Sequence, residues 1–424
     1  MHLFIQDQVF WYTEFKVEYF TMVNKVKFNI NKKCIINETK DLVSLIKLPN
    51  YPLTEQFGKF DKNFPSFNQE LVISKSSGHV QLKYILDQSF LYSPKNYKYR
   101  TKISFSTNSA LKYFLSFVKR NHKLKIKSIL DVGGNDNYII NKISDKNTKK
   151  YVIDPVAKNQ NDGVIVINKF LEDVNLSKDI KQPDIVICRH TLEHIPNPKK
   201  FLKKLLFECR SDCNFIFEVP SLERMIKAQR FDTIMHHHVS YFSVRSLRLL
   251  IAKCGGKLIS YQIYNEGPCG GSILFSFKKI NNPKKKISKL SFAKLPREYK
   301  IIKKKIAIFN NNMKTLRQLI QQEEGAWPEG RGEMKLIGYG AGLMLSTFLY
   351  FLNISPVKIK YILDDDIKKH NTGYQNVKVK IKHPKKVKFQ PGQNYLITSL
   401  ENKKKLISKI LLLEPNHIYF PSPA

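Results

Sequence analysis

The sequence predicts an α/β protein with two open, mostly parallel sheets, preceded by a small domain of mixed structure. Two segments indicate this fold, because each reads as an apolar strand that ends in a glycine turn and continues into a helix. They are SILDVGGNDNY at residues 128–138 and LIGYGAG at residues 336–342. After each segment, strand-like and helix-like stretches alternate, which is typical of a parallel sheet with helices on both faces.

The predicted units follow one another along the 424 residues. Residues 1–21 are predicted to be an extension outside the folded unit, since they are aromatic-rich and fit no targeting signal. A small N-terminal domain is expected at 22–100, a first α/β domain at 101–280, a helical linker at 281–330 and a second α/β domain at 331–424. Within the first α/β domain, segments 257–264 and 272–277 are expected to form an antiparallel pair that closes the sheet edge.

The net charge of +37 would ordinarily suggest a nucleic acid or an anionic membrane as partner. The excess is mostly lysine, spread along the chain among asparagine and isoleucine, so we expect a solvated basic surface instead. We therefore predict neither a nucleic-acid nor a membrane partner. The electric field of this positive charge would still concentrate an anionic small substrate such as a phosphate ester near the protein.

The cysteines favour a reduced, cytoplasmic protein. The chain has 6 of them, with no C-x-x-C pair, and several lie in apolar runs, so buried thiols are expected. No apolar run reaches the roughly 18 residues that a membrane span requires.

The first glycine turn offers candidate cofactor-binding residues: Asp131, Gly133, Gly134, Asn135 and Asp136. A dinucleotide site would need a third glycine in a G-x-G-x-x-G spacing, which this turn lacks. Carboxylate and amide groups suit the cationic sulfonium and amino acid tail of S-adenosylmethionine better. A plain strand-to-helix connection remains the alternative.

Three more polar residues follow the next strands. Asp154 ends the strand YVID about 20 residues after the turn, where a carboxylate can bind both ribose hydroxyls of an adenosine. That position suits either cofactor, and a helix N-cap is the alternative role. His190 and Glu193 follow the strand DIVICR and are expected to flank the cofactor pocket.

In order, DVGGND at 131–136, Asp154-Pro155 and LEHIPNP at 192–198 resemble the class I S-adenosylmethionine-dependent methyltransferases. More narrowly, FDTIMHHHVSYFS at 231–243, GGS at 270–272 and GYGA at 338–341 resemble the three-domain C-methyltransferases of nucleotide-linked 4-keto deoxysugars. The resemblance runs from about residue 34 to the end. It implies a class I methyltransferase sheet followed by a second Rossmann-like domain, S-adenosylmethionine as cofactor and a nucleotide-linked sugar as substrate.

The resemblance also implies a catalytic group. His238 would be the base that removes a proton beside the keto carbon, and His237 and His236 precede it where relatives carry Glu and His. A structural or surface cluster is the alternative. Metal binding by the three adjacent histidines is disfavoured, because consecutive side chains point in different directions. Tyr97 and Tyr99 are expected to hydrogen-bond the keto oxygen or the enolate, with aromatic packing as the alternative.

For the substrate, the resemblance implies Gly271 and Ser272, then Gly338, Gly340 and Asp364 of the second α/β domain. Asp364 could instead belong to a solvated loop. Met344 occupies a position where relatives tend to carry lysine, which alters the expected nucleotide site.

Relatives usually hold a structural zinc ion in the N-terminal domain through four cysteines. Here Cys34 remains, while Asn37, Ser74 and Ser77 occupy the other three positions. Hydroxyls and amides do not replace thiolates around tetrahedral zinc, so we predict a metal-free domain.

The rival interpretations are an O- or N-methyltransferase with another small acceptor, favoured by the altered MHHH run, and a non-catalytic protein that binds S-adenosylmethionine or nucleic acid.

Overall fold

The structure is a computed structural model that describes residues 26–92, 105–157, 162–180, 182–265, 267–280, 296–326 and 333–421. Tyr97, Tyr99 and the predicted extension at 1–21 lie outside the described residues. No helix in those described ranges is both long and apolar enough to cross a bilayer.

The described strands and helices are numbered in chain order. The strands are β1 (Phe28–Ile30), β2 (Leu42–Pro52), β3 (Ser66–Ser74), β4 (Val80–Leu82), β5 (Tyr84–Leu86), β6 (Ser128–Val132), β7 (Lys149–Ile153), β8 (Val164–Ile167), β9 (Ile185–Arg189), β10 (Asn214–Pro220), β11 (Ser240–Tyr241), β12 (Gly256–Tyr264), β13 (Ser272–Lys279), β14 (Leu336–Tyr339), β15 (Ile359–Leu363), β16 (Ile381–Lys382), β17 (Asn394–Ile397) and β18 (His417–Tyr419). The helices are α1 (Gln88–Leu91), α2 (Phe105–Asn121), α3 (Ile140–Ile143), α4 (Leu176–Asp179), α5 (Pro198–Glu208), α6 (Leu222–Lys227), α7 (Val244–Lys253), α8 (Pro296–Gly325), α9 (Leu345–Leu352) and α10 (Lys403–Leu411).

The first α/β domain is built on a seven-stranded sheet in the order β12-β13-β10-β9-β6-β7-β8. Strands β6 to β10 run parallel, whereas β13 is antiparallel to both β10 and β12. The predicted antiparallel pair is thus confirmed. Every residue of β6 is buried, as expected for an apolar run that helices cover on both faces.

The second α/β domain carries a five-stranded parallel sheet in the order β16-β15-β14-β17-β18. Its glycine turn follows β14 and leads to α9. Both predicted α/β units are therefore present, and each glycine turn lies at the carboxyl end of a central strand.

The N-terminal domain contains a four-stranded antiparallel sheet in the order β11-β4-β3-β2. Its fourth strand comes from the first α/β domain: Ser240 pairs with Gln81, and Tyr241 pairs with Val80. The predicted division at residue 100 does not include this exchange, because a two-residue strand has no sequence pattern of its own. The histidine run at 236–238 consequently ends at the edge of the N-terminal sheet.

Helix α8 does more than link two domains. Its buried apolar residues recur three or four positions apart, at Ile302, Ile306, Phe309, Met313, Leu316 and Ile320. These side chains belong to one hydrophobic core with Leu48 of β2 and Phe348 of α9. A single core thus joins the N-terminal domain, the helix and the second α/β domain.

Hydrogen bonds connect the positions at which relatives hold zinc. Cys34 Sγ lies 3.3 Å from Ser77 Oγ. The Asp41 carboxylate accepts from Thr39 Oγ1 at 2.6 Å, Ser74 Oγ at 2.9 Å and Ser76 N at 2.6 Å. Burial alone would raise the pKa of Asp41, but these hydrogen bonds outweigh it and lower the pKa. Asp41 therefore organises this region as an anion.

We predict that this network, rather than zinc, supports the N-terminal domain. Metal analysis of the purified protein should find no tightly bound zinc, and EDTA should leave the melting temperature unchanged. Asp41→Ala removes three hydrogen bonds to a charged group and should destabilise the protein by about 1–3 kcal/mol. Stoichiometric zinc, or a large EDTA effect, would contradict the prediction.

Candidate active site

A cavity opens at the carboxyl ends of β6, β7 and β9, with about 750 Å³ of space including the part open to solvent. Four predicted cofactor-binding residues line it: Gly133, Asn135, Asp154 and His190. The rest of its wall is formed by Gln88, Tyr92, Ile139, Pro155, Val156, Phe170, Arg189, Thr191, His194 and Ile195. The two glycine-turn residues, the β7 carboxylate and the β9 histidine thus meet at one site.

The glycine turn needs its glycines because neighbouring strands crowd it. Gly133 has φ +79°, and a Cβ there would lie 2.1 Å from Thr191 Oγ1. A Cβ at Gly134 would lie 2.9 Å from Val152 Cγ1 and 3.0 Å from the carboxyl of Asp131. Any larger residue would push the turn away from β7 and β9 and close the cavity floor.

Asp154 ties the turn to the end of β7. Its Oδ2 accepts from Asn135 N at 3.0 Å, and its Oδ1 accepts from Val156 N at 2.8 Å. The carboxylate therefore fixes the local backbone, but in a turn rather than at the start of a helix. Each carboxylate oxygen has a second lone pair, so Asp154 can also receive hydroxyl donors from a molecule in the cavity.

Asp131 lies beneath the turn with only 1% of its surface exposed. Burial, with smaller contributions from Asp154 and Asp136, raises the pKa of Asp131 to about 8. Its Oδ2 receives no hydrogen bond in the described part of the chain. At neutral pH this carboxyl is therefore mostly protonated.

His190 lies between two buried carboxylates. Its Nδ1 is 3.4 Å from Glu193 Oε1, and its Nε2 is 3.4 Å from Glu218 Oε1. Burial would lower the pKa of His190, but the two carboxylates outweigh it and raise the pKa to about 9. His190 is accordingly a cation at neutral pH.

Glu218 also binds Arg189 and accepts from Ser272 Oγ at 2.6 Å. Burial alone would raise the pKa of Glu218, but Arg189 and His190 hold it well below its usual range. The predicted substrate residue Ser272 thus lies behind the cavity wall, where it supports Glu218. Gly271 accepts from Ser221 N at 3.0 Å and lies beside Tyr264.

The three consecutive histidines occupy different surroundings. His236 Nε2 lies 3.1 Å from Tyr51 O, and its Nδ1 lies 3.2 Å from Gln69 Nε2. Burial lowers the pKa of His236 to about 4. Both ring nitrogens are engaged with the N-terminal sheet, so this geometry favours a structural role; the predicted catalytic role of His236 stays a prediction.

His237 contacts the cavity wall through its backbone and ring. Its carbonyl oxygen lies 2.9 Å from His194 Nδ1, and its ring lies 5.9 Å from the Tyr92 ring, centroid to centroid. Burial, with smaller effects of His194 and His236, lowers the pKa of His237 to about 3. His194 therefore donates from Nδ1, and its Nε2 is left as a lone-pair acceptor.

His238 packs its ring against His194, with centroids 4.8 Å apart, and keeps 6% of its surface exposed. Burial, then the neighbouring histidines, holds the pKa of His238 well below its usual value. Ligand atoms of Glu193, His194 and His238 all lie within 4.8 Å of one another. The neutral imidazole of His238 thus lies just outside the cavity wall, in contact with His194, which lines the cavity.

The predicted substrate residues of the second α/β domain form a separate turn. Gly340 has φ +100°, and a Cβ there would lie 2.4 Å from Ser399 Cβ. A Cβ at Gly338 would lie 2.8 Å from Ile362 Cγ1. Asp364 Oδ2 accepts from Ala341 N at 2.9 Å and from Lys369 Nζ at 3.0 Å. Asp364 therefore closes this turn rather than lying in a solvated loop.

Sequence reasoning did not assign Tyr92, Arg189 or Glu218. The last two could have been found, because each is a charged residue in an otherwise apolar strand, IVICR or NFIFEVP. Such a residue in a buried strand requires a partner. Tyr92 gave no comparable signal.

Two family models match consecutive parts of the chain. Residues 104–261 match a methyltransferase domain, and residues 269–411 match a C-methyltransferase C-terminal domain. Together with the seven-stranded sheet, these matches define a class I, S-adenosylmethionine-dependent methyltransferase domain. More particularly, the order of the two matched segments is that of a methyltransferase domain followed by a C-methyltransferase C-terminal domain.

Individual relatives match a short part of this chain or have a low structural similarity to it. C-methyltransferase NovU from Streptomyces niveus is 34% identical over 90 residues, so the match spans 21% of this chain and 21% of NovU. The Burkholderia thailandensis 1,6-didemethyltoxoflavin N1-methyltransferase is 13% identical, with TM-score 0.32 and coverage of 41% of this chain and 79% of its own. The Synechocystis PCC 6803 magnesium protoporphyrin IX methyltransferase is 11% identical, with TM-score 0.33 and coverage of 42% and 89%. Scores at this level say nothing about the acceptor.

We predict that Asp131→Asn stabilises the cofactor-free protein at alkaline pH. Because the pKa of Asp131 is raised from 3.8 to about 8 on folding, the wild-type free energy of unfolding should fall as pH rises across this interval. Asp131→Asn has no carboxyl group to titrate at this position. Its advantage over wild type in free energy of unfolding should therefore be larger at pH 8 than at pH 5, by on the order of 3 kcal/mol. Chemical denaturation at both pH values measures this, with the exposed Asp173→Asn as control. Parallel curves for wild type and Asp131→Asn would contradict the prediction.

Proposed function

We propose that this protein transfers a methyl group from S-adenosylmethionine to a carbon atom of a nucleotide-linked 4-keto deoxysugar. The observation that carries the proposal is His238, a buried neutral imidazole that packs on His194 of the cavity wall. A base beside a cofactor cavity suits an acceptor that must lose a proton before it becomes a nucleophile. An acceptor carbon next to a ketone is such a group.

The cavity suits the cofactor. S-adenosylmethionine supplies, when bound, a methyl carbon made electrophilic by a positive sulfur, which a nucleophilic carbon can take up. Asp154 has acceptor capacity for ribose hydroxyls, and Gly133 leaves room where a side chain would collide with Thr191. Of the other predicted cofactor residues, Gly134, Asn135 and Asp136 shape the turn, and Glu193 fixes the orientation of His190.

In the proposed mechanism, His238 accepts the proton from the carbon beside the keto group at a ring nitrogen. The electron pair of the broken C–H bond moves toward the keto oxygen and forms an enolate. His238 keeps 6% of its surface exposed and packs on His194 of the cavity wall, so one of its ring nitrogens is proposed to face the acceptor. Tyr97 and Tyr99 are proposed to donate hydrogen bonds to the enolate oxygen.

The neighbouring histidines are proposed to act through His238. His236 anchors the run to the N-terminal sheet, and the His237 carbonyl fixes the His194 ring against which His238 packs. Ser272 contributes in the same indirect way through Glu218. The turn of Gly338, Gly340 and Asp364 is proposed to lie against the nucleotide portion of the substrate.

Product analysis tests the reaction. The enzyme should transfer a ¹³C-labelled methyl group from S-adenosylmethionine to a dTDP-, GDP- or CDP-linked 4-keto deoxysugar, and NMR should place the label on carbon. A label on oxygen or nitrogen would overturn carbon methylation and support the rival acceptor class. Transfer to none of these sugars would overturn the proposed substrate.

We predict that His238→Ala lowers turnover by about 10²–10⁴-fold, the range expected for loss of a general base. Affinity for S-adenosylhomocysteine, measured by calorimetry, should change by less than about threefold, since His238 lies outside the cavity wall. Enzyme-dependent deuterium exchange at the acceptor carbon should be lost as well.

His417→Ala, at an exposed histidine of the second α/β domain, serves as the matched control. It should keep both methyl transfer and deuterium exchange. Equal losses of turnover and cofactor affinity in His238→Ala would assign the residue a structural role. Retained deuterium exchange in that variant would exclude it as the base.

A further inference from the structure

One member of the histidine run belongs to a cluster of metal-ligating groups at the cavity. Glu193, His194 and His238 each present one ligand atom, and these three atoms all lie within 4.8 Å of one another. The cluster joins two distant parts of the chain, because Glu193 and His194 follow β9 whereas His238 precedes β11. Two imidazoles and a carboxylate are a ligand set that zinc and the neighbouring transition metals favour.

The separations within the cluster are close to those of a metal site. Metal–nitrogen and metal–oxygen bonds of about 2.1 Å place neighbouring ligand atoms roughly 3–3.5 Å apart. His194 Nε2 lies 4.0 Å from Glu193 Oε1, and no pair of ligand atoms in the cluster exceeds 4.8 Å. Each group would therefore have to move by only about 1 Å toward a common centre to bind one ion.

The His194 ring is already oriented as a metal ligand. The His237 carbonyl oxygen accepts from His194 Nδ1 at 2.9 Å, which leaves a lone pair on Nε2, the nitrogen nearer to the Glu193 carboxylate. A backbone carbonyl that accepts from the other ring nitrogen is a usual support of a metal-ligating histidine. His194 also lines the cavity, so a metal ion can reach the cluster from solvent.

The Glu193 carboxylate has capacity for a cation. The residue is 1% exposed, and neither of its carboxylate oxygens receives a hydrogen bond within the ranges that the structure describes. His190 Nδ1 approaches Oε1 at 3.4 Å, which is longer than an ordinary hydrogen bond, and Oε2 takes no part in that contact. Because a buried carboxylate is costly without a compensating charge, a cation shared with His194 and His238 would stabilise it.

We propose that Glu193, His194 and His238 form a binding site for a divalent transition-metal ion, and that an ion bound there inhibits methyl transfer. The ion takes an imidazole lone pair of His238, the group that accepts the acceptor's proton in the proposed function. Metal ion and proton therefore exclude one another at this residue. Metal binding is independent of the proposed function, whereas the inhibition rests on it.

The surrounding charges set a moderate affinity. The two cations Arg189 and His190 are balanced by the two buried glutamates that they contact, so these four groups leave no surplus of negative charge for a divalent ion. Bound metal is therefore expected to leave on dialysis against EDTA. The ligands also select the metal, because imidazole suits zinc, nickel and their neighbours, whereas Mg²⁺ prefers oxygen ligands.

A cobalt titration tests the site without any acceptor. Co²⁺ added to EDTA-dialysed protein should bind by calorimetry, with one ion per chain at the strongest site, and its visible absorption should change as nitrogen ligands replace water. Mg²⁺ should not bind there. His238→Ala should weaken Co²⁺ binding by at least about 10–100-fold, the loss that removal of a group supporting a ligand already causes. Its retained affinity for S-adenosylhomocysteine shows that this variant is folded.

The double variant Glu323→Gln, His417→Ala is the matched control. It removes another glutamate and histidine, whose Oε1 and Nδ1 lie 3.7 Å apart at a more exposed place outside the cavity wall. This variant should bind Co²⁺ as wild type does and give the same absorption. Co²⁺ binding that the double variant loses and His238→Ala keeps would assign the ion to the surface pair and overturn the proposed site.

Kinetics test the inhibition. Co²⁺ should lower the rate of methyl transfer, with half-inhibition near the calorimetric dissociation constant, and EDTA should restore the rate. Absence of Co²⁺ binding overturns the metal site even where methyl transfer proceeds as proposed. Binding through His238 that leaves methyl transfer unchanged, or accelerates it, overturns the inhibition. Binding through His238 in a protein that methylates none of the sugars supports the metal site and overturns the inhibition together with the proposed function.

Discussion

The pairing of Ser240 and Tyr241 with β4 is the contact on which the arrangement of the site depends. These two residues follow directly after the histidine run, so the pairing fixes the position at which that run leaves the first α/β domain. The backbone of Val239 adds a further bond to Leu82 N at 2.9 Å. The histidine run is also in contact with the cavity wall, because the rings of His194 and His238 lie 4.8 Å apart, centroid to centroid.

The charged residues at the cavity form one connected set, of which Arg189 and His190 belong to the wall itself. Arg189, Glu218, His190 and Glu193 alternate in sign through the carboxyl ends of β9 and β10. Arg189, Glu218 and Glu193 are buried, and His190 is partly exposed to the cavity. Each charge is compensated by its neighbour, so the penalty of burial stays low only while the set is complete. The neutral histidines lie just beyond this set. The site therefore places fixed charges beside uncharged imidazoles.

Local features of this site could be predicted from the sequence, whereas distant pairings could not. The glycine turn and Asp154 follow from strands, spacing and turn chemistry within a short stretch, and both line the cavity. The separate surroundings of His236 and His238 depend on Gln69, Tyr51 and His194, which lie far away in the chain. A pattern read along one segment contains no information about such partners. The same reason explains why Tyr92, an ordinary tyrosine in sequence, was not assigned.

The single core shared by β2, α8 and α9 has a consequence for the order in which the chain can fold during its synthesis. The N-terminal sheet emerges from the ribosome first, but its fourth strand is made only at residues 240–241, and the helix that covers β2 at residues 296–325. The N-terminal sheet therefore cannot complete its packing until residues 240–241 and 296–325 have been synthesised. Apolar residues such as Leu48 stay exposed in the meantime. Newly made chains of this protein are expected to need chaperone protection until the second α/β domain is complete.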